Sequence, residues 1–190
     1  MPIFYKGAGI GTWWHDNDAR RTGFQPWTPA PESDAFTVHR IMHHVARATT
    51  TSPFISLTRS YEVARSYALV GRQPPPLADD GLVYEIEIDD ASAVRLLDPV
   101  KLVAAELPEP YQTAYQHDGA PEFLLGVVAP KHFRRFLRQS YGQPPGGLGT
   151  ERPPGLSIQV ETLVRALRDA EILVYGSIPA SCVKARIPIR

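Results

Sequence analysis

The sequence predicts a single α+β domain, and three observations carry that expectation. Residues 82–89 alternate strictly between apolar and polar, the period of a half-buried strand. Residues 34–48 and 157–170 instead place apolar side chains at helical spacing. The two patterns interleave along 190 residues of which 43% are apolar and 21% charged, a length and balance suited to one folded unit with a sizeable core.

Taken in order, an apolar strand opens at Pro2–Tyr5 and runs into Lys6-Gly7-Ala8-Gly9-Ile10-Gly11. Glycines at this density suit a tight turn or close approach of a ligand to the backbone. No helical pattern follows, so this is not the dinucleotide-binding fingerprint. Trp13 and Trp14 precede a polar loop and fit either a stacking surface or a structural lid, with the lid favoured. Residues 25–34, with Pro26, Pro29 and Pro31, form a loop.

The helix over 34–48 turns Ile41, Met42, Val45 and Ala48 to one face and His39, His43 and His44 to the polar one. His39 and His43 have the spacing of two zinc ligands. They lack the intervening Glu of a metalloprotease helix and any obvious third ligand, so no metal is expected. After the break at Thr49–Pro53, residues 54–58 read as a strand carrying Ser56 and Thr58. Ser60 caps a helix over 61–69, with Val63, Ala64, Tyr67 and Ala68 on one side. A strand, two hydroxyls and a helix start aim polar groups into one pocket.

Beyond the Pro-rich loop at 73–79, residues 82–89 send Leu82, Tyr84, Ile86 and Ile88 to a core and leave Glu85 and Glu87 solvated. Asp98-Pro99 opens a helix through Glu106, and residues 111–115 have no clear assignment. An apolar run at 122–130 leads to a basic helix over 131–138. Residues 142–155, rich in Gly and Pro, form a linker. The helix over 157–170, with Val160, Leu163, Val164 and Leu167 inward, delivers the chain to Asp169-Ala170-Glu171. A short strand, a turn at Gly176, a return at Pro179 and a terminal strand over 183–189 follow, with Pro188 marking an edge. A carboxylate at the mouth of a buried strand is costly unless it is bonded, paired or used. Glu171 is therefore either a working group or a cap at a solvated edge.

Net charge is formally zero, which gives no global reason to expect a nucleic-acid or membrane partner. The distribution is uneven: residues 1–130 hold ten Lys/Arg against sixteen Asp/Glu, and 131–190 hold ten against four. The basic last third either faces phosphates or complements the acidic remainder of the chain. Cys182, the single cysteine, excludes an internal disulfide or a cysteine zinc cluster, and its apolar neighbours make it a core residue. The N-terminus lacks a charged-then-apolar leader, and no apolar run approaches spanning length. A cytoplasmic protein without membrane contact is expected.

Three motifs in fixed order carry a resemblance. Tyr5-Lys6-Gly7-Ala8, Phe54-Ile55-Ser56-Leu57-Thr58 and Asp169-Ala170-Glu171 with Gly176-Ser177-Ile178-Pro179 resemble the first, middle and late motifs of the cholera-toxin-like branch of the ADP-ribosyltransferases. That branch has Arg where this chain has Lys6, and Thr where it has Leu57. The resemblance implies a split β-sandwich of two small antiparallel sheets with flanking helices, spanning 1–190 as one domain, with an insertion at about 91–156.

It further implies a toxin- or effector-like transferase that uses NAD as substrate, without metal. Such an enzyme breaks the nicotinamide–ribose bond and passes ADP-ribose to a protein side chain or nucleic acid; a neutralising partner protein belongs with that role. Glu171 takes the catalytic place, with Asp169 orienting the acceptor. Lys6 and Gly7 hold NAD, Ser56 positions Glu171, Thr58 supports the strand, and Trp14 or Tyr61 stacks on nicotinamide. Lys6, a point charge without the planar fork of Arg, implies an altered grip on NAD. Glu122, ahead of a similar Gly126…Pro130 run, is the rival for the catalytic place; it lacks the preceding acidic residue and the closing strand. NAD glycohydrolysis and a non-catalytic binding module remain as alternatives.

Overall fold

The computed structural model describes residues 2–30, 36–47, 51–69, 80–89, 91–106 and 158–189. Six strands build one antiparallel sheet: β1 Ile3–Gly9, β2 Phe54–Thr58, β3 Gly81–Glu87, β4 Arg95–Leu97, β5 Glu171–Tyr175 and β6 Val183–Ile189. Their spatial order is β4-β5-β2-β1-β3-β6. The described helices are α1 Trp13–Asp16, α2 Ala19–Thr22, α3 Val38–Arg47, α4 Tyr61–Ala68, α5 Pro99–Ala104 and α6 Ile158–Arg168.

The expected pair of small sheets is thus corrected to one sheet, with a narrow join. β1 and β3 share seven register pairs, whereas β1 and β2 share only Tyr5↔Thr58. Continued register would set Gly7 opposite Ser56. The strands part there, and the Lys6 ammonium donates to the Ser56 carbonyl at 3.0 Å, taking the place of a ladder bond. The gap between the two three-stranded halves is where the cleft forms.

Alternation places the cores. Ile55 and Leu57 of β2, Ile172 and Val174 of β5, and Leu82, Tyr84 and Ile86 of β3 share one cluster with Phe24 and Ile178. On the opposite face Phe54 and Leu173 pack under α3, α5 and α6 with Ile41, Val103 and Leu163. Val83 lies there too, beneath Ala64 and Ala68 of α4, so β3 is apolar on both faces at that position. Gly7 lets α4 settle: a Cβ there would stand 2.1 Å from the Ala64 carbonyl oxygen.

The helices keep the expected caps. Ser60 accepts from Val63 N, and Asp98 accepts from two backbone N–H groups with Pro99 next to it. The stretch expected to open an insertion contributes β4, paired to β5, and α5. In α6 Leu163 and Ala166 are buried while Val164 is half exposed, so its inward face is rotated from the one expected. Cys182 is buried, and β6 closes one edge of the sheet. Glu122, the 131–138 segment and the 142–155 linker lie outside the described residues. Among the described residues no helix is long and apolar enough to cross a membrane.

Candidate active-site cleft

A cleft of about 470 Å³ opens where β1 and β2 part, between α4 on one side and α3 and α6 on the other. Lys6, Ser56, Thr58, Asp169 and Glu171, far apart in sequence, all line it. Register explains the meeting. Glu171 stands directly opposite Thr58, and Ser56 opposite Leu173, so Ser56 and Glu171 are diagonal neighbours on one face.

Glu171 is only 8% exposed. Burial raises its carboxyl to about 7; a hydrogen bond from Ser56 opposes the rise, the Asp169 charge adds to it, and Arg168 and Lys6 pull it down. Lys6 is half-buried, and desolvation lowers its ammonium to about 8 against the attraction of Glu171. The two groups hold each other's charge in a poorly solvated site.

Behind Ser56 stands His44, expected on a polar helix face. Its Nε2 lies 2.8 Å from Ser56 Oγ and its Nδ1 2.5 Å from the buried Ser52 Oγ. When Glu171 is ionised, Ser56 gives its one proton to that carboxylate. In that state Ser56 accepts from His44, consistent with the Nε2–H tautomer and with Ser52 donating to Nδ1. The signal in the sequence was faint: three histidines near a strand of hydroxyls, with no way to see which one turns inward.

Asp169, expected to orient the acceptor, also lines the cleft. Its carboxylate takes hydrogen bonds from Arg168 Nε at 2.6 Å, from Arg168 Nη2, and from the Tyr67 hydroxyl at 2.6 Å across the cleft. Burial and the Asp169 charge push the Tyr67 hydroxyl well above its usual range. Ala170, between the two carboxylates, has φ +45°, a left-handed conformation uncommon for a residue with a Cβ. Its carbonyl accepts from Arg59 N at 3.0 Å, while Thr58 Oγ1 donates to the Asp169 carbonyl at 2.5 Å. The kink separates the roles: Asp169 is tied up at the mouth and Glu171 enters the cleft.

The remaining expected residues divide. Trp14 lines the cleft, set edge-on against Phe24 at 4.8 Å. Tyr61 does not line it; its ring packs edge-on against Tyr5 at 5.6 Å. Gly7 reaches the cleft wall, but α4 is what requires a glycine there. Thr58 lines the cleft with its hydroxyl already committed to the Asp169 corner. Trp27, 70% exposed and not singled out in the sequence, stands on the lining as well. Its loop is held by paired bonds between Phe24 and Ile178 at 2.9 Å, and by Ser177 donating to Gln25 Oε1. The Gly176–Pro179 turn therefore shapes the cleft wall.

His39 and His43 lie on the exposed face of α3 with their rings tilted against each other, 4.4 Å between centres. Among the described residues no group of three or more His, Cys, Asp or Glu is placed to hold a metal ion.

Comparison with known proteins adds little. No family profile matches the chain. The highly reducing polyketide synthase otaA of Aspergillus niger is 32% identical over 96 residues, which make up 50% of this chain and 3% of that protein. The chain thus matches a small fraction of a far longer relative.

Proposed function

We propose that this protein is an NAD-dependent mono-ADP-ribosyltransferase, toxin- or effector-like, with Glu171 as its catalytic group. The observation that carries this is the placement of a buried carboxylate, held by a serine hydroxyl and faced by a lysine, inside a cleft of small-molecule size.

Breaking the nicotinamide–ribose bond builds positive charge on the ribose, as in glycoside hydrolysis. Glu171 accepts a hydrogen bond from a ribose hydroxyl and sets its negative charge against that developing charge. Ser56, itself held by His44, fixes the carboxylate before the substrate arrives, so little reorganisation is needed during the reaction. Lys6 favours the ionised form of Glu171 and faces the substrate as a point charge. Trp14 supplies an aromatic wall for the nicotinamide ring.

The experiment is nicotinamide release from NAD by the purified protein. Release is expected, abolished by Glu171→Gln and largely preserved by Glu122→Gln. Release with no transfer to protein, RNA or DNA in a lysate makes the protein a glycohydrolase. Protection from thermal unfolding by NAD without consumption makes it a binding module.

A further inference from the structure

The cleft has a floor and a strap. Its floor is the gap between β1 and β2, where Glu171 stands 8% exposed with Ser56 and Lys6. Over the mouth, Tyr67 of α4 reaches from one half of the sheet to the other. Its hydroxyl donates to Asp169 Oδ2 at 2.6 Å and accepts from Arg168 Nη2 at 3.3 Å. Through Ala64 and Ala68, α4 packs on β1 and β3, whereas Asp169 leads directly into β5. The two bonds therefore tie together halves that β1 and β2 join at a single register pair.

This strap is the outer layer of the site. Tyr67 lines the cleft and is 45% exposed, while Glu171 is buried. The two are near enough for the Glu171 charge to disfavour ionisation of the Tyr67 hydroxyl. The tyrosine thus stays a donor, and it meets the Asp169 carboxylate in the stronger class of hydrogen bond.

Breaking the nicotinamide–ribose bond leaves a ribose carbon open to any nucleophile that reaches it. Nicotinamide leaves neutral with the electron pair; water forms the new bond to C1′ and passes its proton to the Glu171 carboxylate. The products are ADP-ribose and nicotinamide, and no acceptor is modified. A transferase has to slow this route, and closing the site to water does so. A single water brings almost no binding energy with which to part the strap. A macromolecular acceptor docking at the mouth brings many contacts and can offset two lost hydrogen bonds.

We propose that Tyr67 is a positioning residue that holds the cleft shut against water and so favours transfer of ADP-ribose over hydrolysis of NAD; this rests on the transferase reading above. It acts through Asp169 rather than on the substrate.

The test follows NAD labelled in its adenylate half, incubated with the full chain and a cell lysate, beside a lysate-only control. Free ADP-ribose reports hydrolysis, acid-precipitated label reports transfer, and nicotinamide reports total cleavage. Tyr67→Phe removes one oxygen and both cross-cleft bonds without changing charge. Free ADP-ribose relative to precipitated label should rise roughly 10- to 150-fold, the weight of one hydrogen bond to a charged group. Tyr67→Met, with no hydroxyl on a different side chain, should raise it likewise. Tyr61→Phe, on the same helix but off the cleft, should leave it unchanged. Three results overturn the proposal and leave NAD cleavage standing. They are an unchanged ratio in both Tyr67 variants, a parallel fall in cleavage and transfer, and an unaltered protein that puts all its label into free ADP-ribose. No nicotinamide release under any condition overturns both readings.

Discussion

At the scale of single residues, Glu171, Ser56 and His44 form one chain of hydrogen bonds, and its parts fail differently. His44→Ala leaves Ser56 in place but unanchored, and losing one hydrogen bond of about 1–2 kcal/mol should slow NAD cleavage roughly 5- to 30-fold. The loss should fall on kcat more than on the KM for NAD, which steady-state kinetics reads directly. The carboxyl at about 7 and the ammonium at about 8 give kcat/KM a rise through pH 7 and a decline above 8. Lys6→Met removes a charge that pulls the Glu171 carboxyl down, so the acid limb of the profile should move to higher pH.

Stability follows the same two groups with opposite signs. The Glu171 carboxyl rises from an unfolded value of 4.5 to about 7, so the folded chain holds the extra proton. Its favourable contribution is complete below pH 4.5 and is lost as pH climbs through 7, by up to about 3 kcal/mol. Lys6 falls from 10.5 to about 8, so its buried charge weakens the fold below pH 8 and is relieved as pH rises from 8 to 10.5. Thermal melts should show a fall in Tm between pH 4.5 and 7 that Glu171→Gln flattens.

At the scale of elements, the corner between α6 and β5 does the positioning. Ala170 at φ +45° sits where glycine would be at ease. Ala170→Gly should hold or raise Tm by relieving about 1 kcal/mol of backbone cost, whereas Ala170→Val should lower it. Gly7→Ala should cost about 1–3 kcal/mol in denaturant unfolding, because its Cβ meets the α4 backbone.

These elements differ in how far the sequence exposed them. The amphipathic stripe of α3, the Ser60 and Asp98 caps, the β3 alternation and the edge position of β6 were all legible, because each is set by residues within one or two turns. The contacts of His44 and Asp169 were not. His44 meets Ser56 only once α3 packs on β2, and Asp169 meets Tyr67 across 102 positions. Spacing along the chain carries no trace of either contact. Val164 lies off the expected inward face because α6 packs against α3 and α5, which rotates its buried stripe toward Leu163 and Ala166.

At the scale of the whole molecule, the order of the three motifs foretold that Lys6, Ser56 and Glu171 would meet, and the cleft brings them together. What local pattern left hidden was the sheet. Two halves joined at Tyr5↔Thr58 make one surface, and the opening between them is the site. The uneven charge along the chain does not map onto the cleft: of its described charged lining residues only Lys6 comes from the acidic first part, while Arg165, Arg168, Asp169 and Glu171 all come from the basic last third.

The central claim is that Glu171 carries the chemistry. The most direct test is the rate of nicotinamide release from NAD by the unaltered protein, Glu171→Gln and Glu122→Gln, each checked by circular dichroism for an unchanged fold. Glu171→Gln should lose about a hundredfold or more, the scale for removing one preorganised electrostatic group, and Glu122→Gln should largely retain the rate. A full rate in Glu171→Gln, or the loss appearing in Glu122→Gln instead, would contradict it.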